Sequence, residues 1–212
     1  MSRRSAAAGA VILAAVALAG AGVRAQEPPP LGLSVDGYLA SGWDSSVTNE
    51  TNGGPQDRDR GLVGLTALVD VRDFAAGGVV DGFPGLFGGG RLTVGGLAGW
   101  QPRFRRFRWQ LLGELGAERF SDVGGNLLTS PGTHETWLGY TGARLGFSIT
   151  PGRGEHFELG WWLFVRRDLG EATVTNSSSN WIDNSVTTTT YHLGGSTAGA
   201  ALRVGVRLDR KP

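Results

Sequence analysis

Residues 157–168 read FELGWWLFVRRD, and this stretch decides the fold class. Phe157, Leu159, Trp161, Leu163 and Val165 fall on one parity, and Glu158, Trp162, Arg166 and Asp168 on the other. Successive side chains of a strand point to opposite faces, so a period of two predicts a strand with one apolar and one polar face. A helix would repeat its apolar stripe near 3.6 residues, which this stretch does not do.

The pattern extends in both directions. Upstream, Trp137, Ala143, Leu145, Phe147 and Ile149 oppose Tyr140, Arg144 and Ser148. Before that, Phe107, Trp109, Leu111 and Leu115 oppose Arg106, Arg108, Gln110, Glu114 and Glu118. Downstream, Leu202, Val204, Val206 and Leu208 oppose Arg203 and Arg207. The first half repeats it in three runs. Leu31 to Trp43 sets Leu33, Val35, Leu39 and Trp43 against Ser34, Asp36, Tyr38 and Ala40. Val63 to Val71 sets its valines and Leu65 against Thr66 and Asp70, with Leu62 and Leu68 also on the polar side. Leu92, Val94, Ala98 and Trp100 oppose Arg91 and Thr93. These are seven strands. An even number is required for a bacterial barrel with both ends on one side, and the Gly-rich FAAGGVVDGF at 74–83 is the candidate eighth. The connections then alternate in length. Short ones lie near Arg72-Asp73, at 101–104 and at 150–154; long ones run over about 44–59, 84–90, 121–133 and 170–190.

The beginning of the chain carries a separate signal. Arg3 and Arg4 precede a small-residue apolar run from Ala6 to Ala21, and Val23-Arg24-Ala25 offers a signal-peptidase site. The expected organisation is therefore a signal peptide over 1–25 and one domain over 26–212. The net charge of +1 gives no basis for whole-chain attraction to nucleic acid, and the absence of Cys excludes thiolate and disulfide chemistry. No later segment is long and apolar enough for a membrane helix, so any span is made of strands.

Alternation alone does not say which face meets lipid. The apolar face carries Trp43, Trp100, Phe107, Trp109, Trp137, Phe147 and Phe157 near strand ends, the pattern of interfacial aromatic girdles. The opposite face has few long charged side chains among Gly, Ser and Thr. Placing its arginines toward lipid would cost ~2–4 kcal/mol for each one near the midplane. Lipid outside is therefore the expected orientation. The fold class is all-β, an antiparallel up-and-down transmembrane β-barrel of eight strands.

On strand length, parity, girdles and loop rhythm, the chain from Leu31 to Leu208 resembles the small eight-stranded outer-membrane barrels of the OmpA- and OmpX-like kind. The resemblance implies export to the outer membrane. It implies as partners outer-membrane lipid and lipopolysaccharide, and the assembly machinery during insertion. One feature departs from the pattern: such proteins commonly end on an aromatic residue, whereas this chain ends on Asp209-Arg210-Lys211-Pro212.

The polar face gathers Asp36, Asp70, Glu114, Glu118, Glu158 and Asp168 with Arg108, Arg144, Arg166, Arg203 and Arg207. An eight-stranded bore is filled by side chains, so these charges are expected to pair and plug it. Two pairs are expected: Asp36 with Arg203 across the closing seam, and Arg144 with Glu158 across the turn at 150–154. Glu114 and Glu118 lie ~13 Å apart along one strand face, too far for a catalytic pair. His134, His156 and His192 lack metal-ligand spacing and do not match the His-x-Ser pair of barrel lipid A deacylases. Asp44, Glu50, Asp57 and Asp59 have no Ca²⁺-loop spacing and are expected in a solvated loop. The Arg103–Trp109 mixture of arginines and aromatics is expected at a membrane boundary rather than on nucleic acid. The Thr187–Thr190 run has strand propensity and is expected to carry the barrel above the membrane.

The expected role is non-enzymatic, structural or surface-interacting through the outer loops, with no cofactor, metal or nucleic acid and with a loop partner the sequence does not name. A lipid-modifying barrel enzyme is one alternative. A soluble lipocalin-like carrier of an apolar ligand is another.

Overall fold

The computed structural model describes residues 31–49, 54–55, 58–83, 90–104, 106–121, 135–151, 156–179 and 186–209. The expected signal peptide, the loops at 84–89 and 122–134, and the residues after Asp209 lie outside them, as do His134, Glu50 and Asp57. In chain order the strands are β1 (Leu31–Asp44), β2 (Val47–Asn49), β3 (Gly54–Pro55), β4 (Arg58–Val71), β5 (Phe74–Phe83), β6 (Gly90–Trp100), β7 (Arg103–Phe104), β8 (Phe107–Ser121), β9 (Thr136–Ile149), β10 (Phe157–Asp168), β11 (Ala172–Ser179), β12 (Val186–Leu193) and β13 (Ser196–Asp209).

Eight of these close a barrel. The order runs β6-β5-β4-β1-β13-β10-β9-β8, and β6 pairs again with β8 to complete the ring. Every neighbouring pair is antiparallel. The seam between first and last strand pairs Leu33 with Leu208 and Asp44 with Thr197. The weakly alternating stretch at 74–83 is the eighth strand, bonded along its length to β4 and β6.

Burial follows parity around the ring. Large side chains of the expected apolar face are exposed on the outside, among them Leu39, Leu65, Leu115, Leu163 and Leu202. The charged parity is inside and buried. This is the reverse of a soluble carrier, whose apolar face lines the bore, so the lipocalin-like alternative is excluded by the direction in which the faces point. The outer belt also has the height of a bilayer core. Trp137 and Phe147 share the outer face of β9, ten residues apart. At ~3.3 Å per residue and a strand tilt of about 40° this spans roughly 25 Å, the height of the apolar band in outer-membrane barrels.

Aromatics mark both edges of the belt unequally. Trp43 and Trp137 stand at the long-loop end. Phe74, Trp100, Phe104, Phe107, Trp109, Phe157 and Trp161 crowd the short-turn end, all more than a third exposed. Phe147, half-buried, packs there between Phe107 and Trp109, with ring centroids 5.5 and 5.2 Å away.

Above the barrel the chain builds a second sheet in the order β11-β12-β2-β3. The segment expected as a long loop after Gly170 is thus a hairpin, with Ala172 opposite Leu193 and Thr175 opposite Thr190. The Thr run extends the structure beyond the belt as its propensity suggested. Gly194 returns the chain to β13 at φ 119°, with its N–H donating to the Ser46 carbonyl at 2.9 Å. A side chain there would meet the Gly170 carbonyl at 2.5 Å, so both the backbone angle and the space call for glycine.

Candidate functional site: the lumen and its cap

Among the described residues, the polar contents of the lumen form three layers. Nearest the short turns, Arg108 bonds Glu158 and lies 3.7 Å from Asp70, which Arg207 approaches at 3.5 Å. Arg203 reaches Glu158 at 2.9 Å and Asp36 at 3.2 Å. The two glutamines join this layer. Arg203 donates to Gln110, Gln110 donates to Gln101 at 2.8 Å, and Gln101 donates to Asp70. Three acids, Asp36, Asp70 and Glu158, face three arginines, Arg108, Arg203 and Arg207.

The middle layer is a crossed pair of forks. Arg144 grips Glu114 through Nε at 2.7 Å and Nη2 at 3.0 Å. Arg166 grips Asp81 through both terminal nitrogens and also touches Glu114 at 2.8 Å. Tyr38 donates to Asp81, and Tyr140 donates to Glu114 at 2.7 Å. Bidentate Arg–carboxylate contacts are the strong form of this interaction, and here the side chains that make them are buried. Trp162 links this layer to the one below, since Arg144 and Arg203 lie 4.9 and 5.4 Å from its ring.

The third layer sits under the long loops. Arg91 bonds Glu118, reaches Asp44 at 3.2 Å, and donates to Ser46 and Thr197 at 3.0 Å each. Above it comes an apolar cluster of Val47, Phe120, Leu138, Val174 and Leu193, with Ala172 and Tyr191 packed against it. These side chains come from β2, β8, β9, β11 and β12. The second sheet therefore closes the mouth with an apolar cap over a charged plug.

Glycine makes the plug possible. A Cβ at Gly95 or Gly116 would stand 2.2 Å from the Tyr140 hydroxyl or 2.7 Å from its ring. At Gly205 it would fall 1.8 Å from an Asp36 carboxylate oxygen. A narrow bore holding Arg, Trp and Tyr needs bare backbone opposite them, which accounts for many of the chain's 36 glycines.

Of the charged residues expected on the polar face, Asp36, Asp70, Arg108, Glu114, Glu118, Arg144, Glu158, Arg166 and Arg203 are buried inside, Asp168 and Arg207 are half-buried, and Arg106 is exposed at a turn; Asp36 meets Arg203 across the seam. The expected pairing of Arg144 with Glu158 does not occur. The register sets Arg144 opposite Phe164 and Leu159 opposite Ile149, which puts Glu158 six residues down the strand from Arg144, about 20 Å away in backbone terms. Asp44 is also corrected: it is a buried lumen residue, 3 % exposed, rather than part of a solvated loop. Its even parity with Asp36 and Tyr38 on β1 was the available signal. Asp81, at the centre of the middle layer, was not singled out, because both faces of FAAGGVVDGF are small and apolar around it.

Among the described residues no group of three or more His, Asp or Glu side chains is arranged to hold a metal. His156 Nδ1 lies 3.0 Å from the Arg207 carbonyl, and His192 Nδ1 lies 3.3 Å from the Thr173 hydroxyl.

No protein-family model and no curated protein matches this chain. Solved structures do. The outer membrane protein OprG from Pseudomonas aeruginosa superposes with a TM-score of 0.50 at 14% identity, over 86% of this chain and 97% of that one. Neisserial surface protein A gives 0.48 at 13% identity, over 82% and 96%. The attachment invasion locus protein of Yersinia pestis gives 0.43 at 15% identity, over 85% and 99%. The chain has the fold of the small eight-stranded outer-membrane β-barrels.

Proposed function

We propose that this chain is an exported outer-membrane protein with a sealed, non-conducting barrel whose working part is the sheet and loops at the capped end. The observation that carries the reading is the double closure of the bore. Among the described residues, three layers of paired charges occupy the bore and an apolar cluster lies over them, while the second sheet presents a built surface beyond the lipid belt. On this reading the short turns face the periplasm and the β11–β12 hairpin faces outward, as loop lengths in such barrels do. The partners are membrane lipid and lipopolysaccharide around the belt, and a surface ligand at the hairpin.

Two measurements test it. An epitope inserted between residues 180 and 185 is expected to be reached by antibody on intact cells, and labelling only after permeabilisation overturns the outward assignment. The mass spectrum of lipid A is expected to be the same with and without the gene; a gene-dependent change in acylation overturns the non-enzymatic reading.

A further inference from the structure

Outside the lumen, the feature with the clearest chemistry lies at the short-turn edge of the belt. The turn joining β4 to β5 consists of Arg72 and Asp73, with Val71 opposite Phe74. The next turn, joining β6 to β8, contains β7 and Arg106. The two are tied together: the Gln101 N–H donates to the Asp73 carbonyl at 2.6 Å. Arg72 and Arg106 are both exposed, and neither makes an ion pair among the described residues. By contrast, Arg119 near the opposite edge is paired with Glu135.

Arg72 has a φ of 56°, the one positive value among the described non-glycine residues. Positive φ at the first of two hairpin-turn residues is the place where glycine normally stands. An arginine held there carries backbone strain with no folding benefit visible in its contacts, and such strain points to a use for the side chain. Each arginine adjoins its own exposed aromatic pair: Phe74, facing Trp100 across β5 and β6, follows the turn of Arg72, and Phe104, opposite Phe107, flanks Arg106, four residues further along β8 than the level of Trp100. The two adjoining turns thus carry exposed arginines at the short-turn edge of the belt, each next to exposed aromatic residues.

We propose that these adjoining turns form a seat for an anionic glycerophospholipid, with Arg72 and Arg106 contacting its phosphate and the four aromatics holding its acyl region. Arginine suits a phosphate through paired donors, and basic groups at a membrane surface select anionic lipid. The proposal rests on the reading of the chain as a membrane barrel, and deepens it by naming a lipid class and a place on the circumference.

The test uses the purified protein refolded into vesicles of phosphatidylcholine alone or mixed with phosphatidylglycerol, with brominated versions of each lipid as quenchers of tryptophan. Wild-type emission is expected to be quenched at least two-fold more per brominated phosphatidylglycerol than per brominated phosphatidylcholine. In Arg72→Gln, Arg106→Gln the ratio is expected to fall to about one, with the same heat-modifiable folded band. Arg72→Gly is expected to lose part of the ratio while resisting urea better in phosphatidylcholine, because the turn strain is relieved; a purely structural arginine would give the opposite. A wild-type ratio of one, or a ratio unchanged in the double variant, overturns the seat while leaving the barrel reading intact. Failure to insert into either vesicle overturns the membrane reading and the seat with it.

Discussion

Tyr140 occupies the lumen because residues 95 and 116 have no side chains. Its hydroxyl donates to Glu114, and the ring lies 5.3 Å from the Arg166 guanidinium. A methyl group at Gly95 would sit 2.2 Å from that hydroxyl. Overpacking of this kind costs about 1–3 kcal/mol. Gly95→Ala is therefore expected to lower the urea midpoint for unfolding from lipid vesicles. Combined with Tyr140→Phe, which removes the atom in conflict, the loss should be smaller than the sum of the two single losses. Strict additivity would show that Gly95 is there for some other reason. The same scale explains what the sequence could and could not convey about the lumen. Parity assigns Asp36, Arg144, Arg166 and Arg203 to the inside without error. It does not say at what height each stands, because height depends on register, and register depends on where each turn ends. Hence the seam pair is legible, whereas Arg144 has Glu114 and Asp81 as partners instead of Glu158. A double-mutant cycle separates these cases. Arg144→Ala with Glu114→Ala should show a coupling energy, while Arg144→Ala with Glu158→Ala should be close to additive.

Among elements, β10 is the most informative and β5 the least. β10 alternates bulky apolar with charged or aromatic residues, so its two faces differ strongly in solvent preference. β5 has Ala, Gly and Val on both, and only strand parity and the need for closure identify it. Its Asp81 is the residue that both Arg166 and Tyr38 require. The outward direction of β10 can be tested at Leu163, which is exposed in mid-strand opposite Leu145 and Ala200. Leu163→Arg is expected to destabilise the barrel in vesicles by ~2–4 kcal/mol, the cost of a guanidinium near the bilayer midplane. Thr188→Arg, at an exposed site on β12, should fall within about 0.5 kcal/mol of wild type, as surface changes do. Equal effects would mean that the belt does not meet lipid. The hairpin β11–β12 was legible only as strand propensity in its threonines. Its pairing with β2 depends on contacts distant in sequence, such as Leu193 with Val47, and no local pattern encodes them.

At the scale of the whole molecule, two closures act in series, and they can be removed separately. The cap is apolar and depends on β11 and β12. The plug lies below it and depends on arginines whose carboxylate partners come from other strands around the ring: Arg166 of β10 holds Asp81 of β5, and Arg144 of β9 holds Glu114 of β8. Because the plug residues are anchored on barrel strands, deleting the hairpin should leave them in place. Replacing residues 173–192 with a short Gly-Ser link is therefore expected to leave planar-bilayer conductance at baseline, as in the wild type. Removing the middle layer is a different matter. Arg144→Ala or Arg166→Ala alone strands buried carboxylates, and breaking a buried pair in this way costs about 3–5 kcal/mol. Removing all four charges, by Asp81→Ala, Glu114→Ala, Arg144→Ala and Arg166→Ala, leaves none of the four stranded and empties the middle layer. That variant should fold better than either single arginine variant, and with the layers of Arg203 and Arg91 still in place on either side it should pass no steady ion current, with or without the hairpin. Conduction by the wild-type protein would disprove both closures. Conduction by the hairpin deletion alone would assign the seal to the cap and leave the charged layers a purely architectural role.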